Sequence, residues 1–169
     1  MAHPGSASRI RFWLVLFILG LLLSGVTAFP LENEVQGLDK LLHTEWLEPI
    51  SRSTGLLPWL NLVLEGLSRT NAQYPFLAYG TDWLAFAHLV IAAAFIGPWI
   101  NPVRNKWVVA WGLIACVAVL PLAMIAGPIR GIPFGWRLLD CSFGVLGAIP
   151  LAICWREIGD LERTASAPR

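Results

Sequence analysis

Four stretches of this chain contain no Asp, Glu, Lys or Arg and are filled with apolar side chains: residues 12–31, 83–103, 107–129 and 141–155. A membrane-spanning helix needs about 20 mainly apolar residues, with a range of about 17–25. The first three runs meet that length, and the fourth does so once Leu138, Leu139 and Asp140 are counted in. In lipid every backbone polar group must be paired within the chain, which leaves the helix as the solution for such runs. The pattern therefore predicts an all-α integral membrane bundle of four transmembrane helices, at about 10–28, 83–100, 107–126 and 136–155, as a single membrane domain over 1–169. Gly97, Pro98 and Pro102 close the second span, Pro121 marks an expected kink in the third, and Pro150 lies inside the fourth.

The first run admits two readings. Arg9 and Arg11, a short apolar stretch and the sequence VTA before Phe29 resemble a cleavable secretory signal. The run also extends past the core of a signal, and Gly20 and Ser24 would give an uncleaved first span a small-xxx-small packing face. The second reading is preferred here.

Between the first and second spans the pattern changes. In 29–82, Leu31, Val35, Leu38, Leu42 and Trp46 recur at helical spacing, and after SRSTG and Pro58 a second stripe follows with Leu60, Val63, Leu64 and Leu67. This predicts two short amphipathic helices lying on the membrane surface or capping the bundle. QYPFLAYG, residues 73–80, is expected to be a turn into span two.

Composition agrees with the pattern. Hydrophobic residues make up 56% of the 169 and charged residues 14%, against roughly 25% charged in a soluble domain. A net charge of +1 gives no reason to expect a nucleic-acid partner. Cys116, Cys141 and Cys154 sit in or beside apolar runs with no CxxC, so they read as small buried apolar residues. No cofactor is expected: the spans hold one histidine, His88, and no HExxH or His/Cys spacing suits a metal. His43, on the amphipathic segment, reads as solvated or interfacial.

Charge also orients the bundle. Arg9 and Arg11, Arg104 and Lys106, and Arg156, Arg163 and Arg169 fall on one side of a four-span chain and are seven of its twelve basic residues. Short flanks rich in Lys and Arg stay cytoplasmic. Both termini are then expected inside. The segment 29–82, with seven acidic and three basic residues, and the stretch 127–137 are expected outside.

That outer stretch, GPIRGIPFGWRLLDC, holds the candidate chemistry. Asp140 lies one turn past Trp136, about 6 Å into the span. A charge there usually faces the bundle and finds a partner. Arg137 shares its face three residues earlier, and Gly144, Ala148 and Ala152 continue that face at four-residue steps. His88 lies about 7.5 Å below Trp83 at the same end, flanked by Ala85 and Ala92. The two could meet, with Arg130 closing over them. Asp82 joins the candidates by position, although it does not share the His88 face. These residues are expected either to satisfy one another as a structural clamp or to form a ligand site.

The stretches GVTAFP, QYPFLAYGTDWLAFAH and GPIRGIPFGWRLLDCSFG resemble those of a family of small bacterial integral membrane proteins with no known activity. The resemblance spans about residues 24–158. It implies a bacterial inner-membrane protein with a few spans and brings no activity or cofactor with it. The function expected is binding of a small anionic ligand, a lipid headgroup or a partner subunit at the outer end, with the apolar segment 56–67 as an interaction surface and a homodimer among the partners considered. The alternative is a membrane-embedded enzyme or proton-coupled carrier with His88 and Asp140 as its acid–base pair.

Overall fold

The computed structural model describes residues 4–166, so Arg169 lies outside the described residues. The chain runs α1 (Pro4–Ala28), α2 (Leu31–Leu42), α3 (Glu48–Ser53), α4 (Leu56–Gln73), a 3-10 turn (Pro75–Ala78), α5 (Tyr79–Ala94), α6 (Ile96–Ile100), α7 (Lys106–Ile129) and α8 (Phe134–Ser166). Four helical segments are long and apolar enough to cross a membrane: Ser6–Ala28, Pro75–Ile100, Lys106–Ile129 and Phe134–Thr164. In the 18-residue apolar centre of each, only 17–22% of the residues are buried inside the protein. The remaining apolar surface needs an acyl-chain environment, and the chain is a multi-pass membrane protein by this measure.

Several boundaries differ from the pattern read along the sequence. The second span starts earlier, because Pro75 sits in the first turn of a helical segment, where its missing N–H is no loss. It is broken at Phe95, since Pro98 cannot donate to the carbonyl of Ala94, and it resumes with the Trp99 N–H on the Phe95 carbonyl. The fourth helix runs through Pro150 and carries on for about three turns beyond its apolar run. Its polar extension, Arg156–Arg163, has good helix formers in Arg156, Glu157, Leu161, Glu162 and Arg163 and includes the Arg163–Asp160 pair at 2.6 Å.

The segment between the first two spans holds three helices rather than two. SRSTG does not break the chain at its start. Ser51 and Ser53 lie in α3, their hydroxyls donating to the carbonyls of Leu47 and Ile50. The break comes at Gly55, whose φ of 74° suits glycine. The two apolar stripes are real. Leu31, Val35, Leu38 and Leu42 are half-buried on α2, and Leu57 and Leu60 are fully buried on α4. Trp46 falls outside α2 and is 71% exposed. Glu32 accepts a hydrogen bond from the Asn71 side chain at 2.9 Å, tying α2 to α4.

α1 is the central helix. It packs against α5 on one side and α8 on another, while α7 packs along α8 in the most extensive pairing. The core is Ile10, Leu14, Phe95, Val108, Val109, Cys116, Leu151, Cys154 and Ile158. These residues lie in the half of the bundle where α1 begins and α8 ends, here the terminal end. The opposite, loop end carries the α7–α8 turn and the short helices.

Small residues set the close approaches, though not all those expected. Gly20 has nothing within 4 Å of where a side chain would begin, and Ser24 is exposed. Gly25 makes the α1–α5 contact instead, 3.0 Å from the Ala85 carbonyl by the same measure. On α8, Gly144 lies against the backbone of Cys116, but Ala152 is exposed and the buried row passes through Leu151, Cys154 and Ile158. Steps of four overshoot a 3.6-residue turn by about 40° each, so a four-step row drifts off the contact face. The three cysteines are buried and free, and the Cys154 thiol donates to the Ile10 carbonyl at 3.6 Å.

Candidate functional site

The loop end is built around the turn from α7 to α8. Gly127 starts the closing motif of α7. The Ile132 N–H donates to the Gly127 carbonyl at 2.9 Å and the Gly131 N–H to the Pro128 carbonyl at 3.1 Å, with Gly131 at φ 70°. This pair of hydrogen bonds across a left-handed residue is a Schellman ending, which favours glycine at that position. α8 then begins at Phe134, and the Arg137 N–H donates to the Pro133 carbonyl.

Arg137 projects from the first turn of α8 back across α7. Its Cγ and Cδ fill the space a side chain on Gly127 would take, at 2.8 and 2.3 Å from an ideal Cβ there. Its Cζ lies 5.2 Å from the centroid of the Phe134 ring, a cation–π contact. Its Nε is buried and has no hydrogen-bond partner. Arg130 caps α7, its N–H shared between the Ala126 and Gly127 carbonyls, and its side chain is exposed. Among the described residues, no ion pair joins either arginine to a carboxylate.

Asp140 is half-buried, one residue to the side of buried Cys141. Its carboxylate makes no hydrogen bond or ion pair among the described residues, and Arg137 reaches toward α7 rather than toward it. His88 sits on the α1-facing side of α5, as Ala85 and Ala92 suggest, both of which are buried. Its Cβ is 3.1 Å from an ideal Cβ on Gly25, and its Nδ1 is 2.8 Å from the Leu84 carbonyl. A carbonyl only accepts, so Nδ1 carries the proton of that bond. Asp82 is half-buried in the first turn of α5, where a carboxylate suits the helix dipole.

These side chains are brought to one end of the bundle but not into one cluster. α5 is packed on α1, and it has no substantial contact with α8. His88 and Asp140 lie on helices that share no substantial interface, and no hydrogen bond or ion pair links them among the described residues. The expected mutual clamp is not formed. The ion pairs between spans lie at the terminal end: Arg9 with Glu157 at 2.9 Å, and Lys106 with Glu162. Arg11 adds a hydrogen bond to the Trp99 carbonyl at 3.4 Å.

A cleft of about 300 Å³ also opens at the loop end, between Phe29–Asn33, the end of α4 and the 3-10 turn. None of the candidate residues lines it. Its one charged lining residue, Glu32, is held by Asn71. Polar Glu32, Asn33 and Asn71 on amphipathic helices were the signal for it in the sequence. Among the described residues, no group of three His, Cys, Asp or Glu side chains comes together to hold a metal ion.

The chain matches no protein-family model, no curated protein and no solved structure.

Proposed function

We propose that this chain is a non-enzymatic protein of a bacterial inner membrane. In this reading it binds an anionic group, a lipid phosphate or a small anion, at its extracytoplasmic end through Arg130 and Arg137. One observation carries the reading: the Arg137 Nε is buried without a hydrogen-bond partner, and Arg130, in the same α7–α8 turn, has no ion pair to a carboxylate among the described residues. Cations at this depth normally find an acid or a carbonyl. The Nε itself packs against α7, 3.6 Å from an ideal Cβ on Gly127, so a phosphate would be held by the outer nitrogens of the guanidinium fork. The charge distribution along the chain supports placing this end outside.

Nothing in the packing favours the acid–base alternative, because His88 and Asp140 lie on helices that do not pack together. The segment 56–67 spends much of its apolar stripe internally, with Leu57 and Leu60 buried.

The test is mass spectrometry of lipids retained after mild detergent extraction. Each cation near a membrane surface contributes about 1 kcal/mol toward an anionic lipid. Arg130→Ala and Arg137→Ala should each lower phosphatidylglycerol retention by about fivefold. Arg130→Ala, at an exposed position, should leave thermal stability unchanged. An identical lipid profile in wild type and both variants would overturn the proposal.

A further inference from the structure

At the terminal end a groove of about 270 Å³ runs between the start of α7 and the polar extension of α8. Lys106, Arg156 and Arg163 line it with Trp155, Gly159 and a single acid, Asp160. We propose that this groove is a second anion site, which takes a phosphate group at the membrane surface.

The helix geometry collects the cations. Arg156, Gly159 and Arg163 are three and four residues apart and share one face of α8. Helical side chains lean toward the N-terminus, so Arg163 is directed back along α8 toward Arg156 and the apolar run. Lys106 enters from α7, its Nζ 4.5 Å from the centroid of the Trp155 ring. Gly159 leaves the floor open: an ideal Cβ there would stand 3.9 Å from the Lys106 Nζ.

The acids present do not close the site. Asp160 holds the Arg163 Nη2 at 2.6 Å, and Glu162 binds Lys106. An ammonium has three donors, so Lys106 can serve a phosphate oxygen alongside Glu162 and the ring. Arg156 is exposed and makes no hydrogen bond or ion pair among the described residues. Trp155 is the last residue of the apolar run, and an indole at that position marks the headgroup level. Basic pockets between spans at that level suit phosphodiester headgroups. The same donors would take inorganic phosphate from solution.

The groove depends on neither Arg130 nor Arg137, and one experiment separates the sites and the sources. The full chain in maltoside detergent is titrated with phosphatidylglycerol under native mass spectrometry, and separately with radiolabelled inorganic phosphate by equilibrium dialysis. Arg156→Ala should weaken the bound anion about fivefold. Gly159→Leu, which fills the floor without removing charge, should weaken it as much while the protein remains folded. In an Arg130→Ala background, which weakens the loop-end site, adding Arg156→Ala should still lower the remaining binding about fivefold. Loss in the lipid arm assigns the groove to a headgroup, and loss in the dialysis arm assigns it to free phosphate. Either supports the site. Binding that is undiminished in both Arg156→Ala and Gly159→Leu, or no binding in either arm by wild type, overturns it.

Discussion

Gly144→Ala should destabilise the bundle by about 2 kcal/mol, read as a shift in the midpoint of SDS-induced unfolding. The added Cβ would stand 2.5 Å from the backbone oxygen of Cys116. A side chain could turn aside, but a carbonyl in the middle of α7 cannot, so α7 and α8 must separate along their longest contact. Overpacking of this kind costs up to about 3 kcal/mol, and replacing a helical glycine with alanine returns up to about 1 kcal/mol. Gly20→Ala supplies the opposite sign. With nothing within 4 Å of its Cβ position, it keeps the propensity gain without the clash and should be neutral or stabilising.

Phe95→Ala should cost more, about 3 kcal/mol. Phe95 is fully buried, with ring centroids 4.7 Å from Phe17 on α1 and 6.4 Å from Trp111 on α7. Its ring tip fills the space beside Gly112, 2.6 Å from an ideal Cβ. Because Pro98 breaks the second span at this residue, the ring projects from the junction of α5 and α6 into the core. Elsewhere α5 is held mainly by α1. In soluble cores Phe→Ala costs about 3–5 kcal/mol. The lower figure applies in lipid, where cavity formation and lost contacts remain but transfer from water does not contribute between spans. Hydrogen exchange in α5 should accelerate in this variant while exchange in α7 and α8 changes less.

The spans were legible because length and the absence of charge are one-dimensional properties. The stripes on α2 and α4 were legible because a half-buried helix repeats every 3.6 residues in any context. Azimuth was not. Counting residues from Trp83 and Trp136 places His88 and Asp140 at one depth. It cannot say that α1 lies between their helices. For the same reason Gly20 and Gly25 look equivalent along the chain, and only the second faces α5. The pairs Arg9–Glu157 and Lys106–Glu162 join residues remote in sequence, and no local pattern announces them. The extension of α8 past Trp155 leaves no hydropathy signal, because its helix is polar; only the i,i+3 spacing of Asp160 and Arg163 bears on it in the sequence.

The proposed site depends on Arg130 and Arg137 facing outward. Cysteine labelling in spheroplasts with a membrane-impermeant maleimide decides this, and the native cysteines are buried. Ile129, at the end of α7, is 76% exposed, and Val103, in the turn before α7, is 44% exposed. Ile129→Cys should label in intact spheroplasts, and Val103→Cys only after the membrane is permeabilised. Labelling of Val103→Cys in intact spheroplasts, with Ile129→Cys protected until permeabilisation, would put the two arginines on the cytoplasmic face and contradict the proposed function.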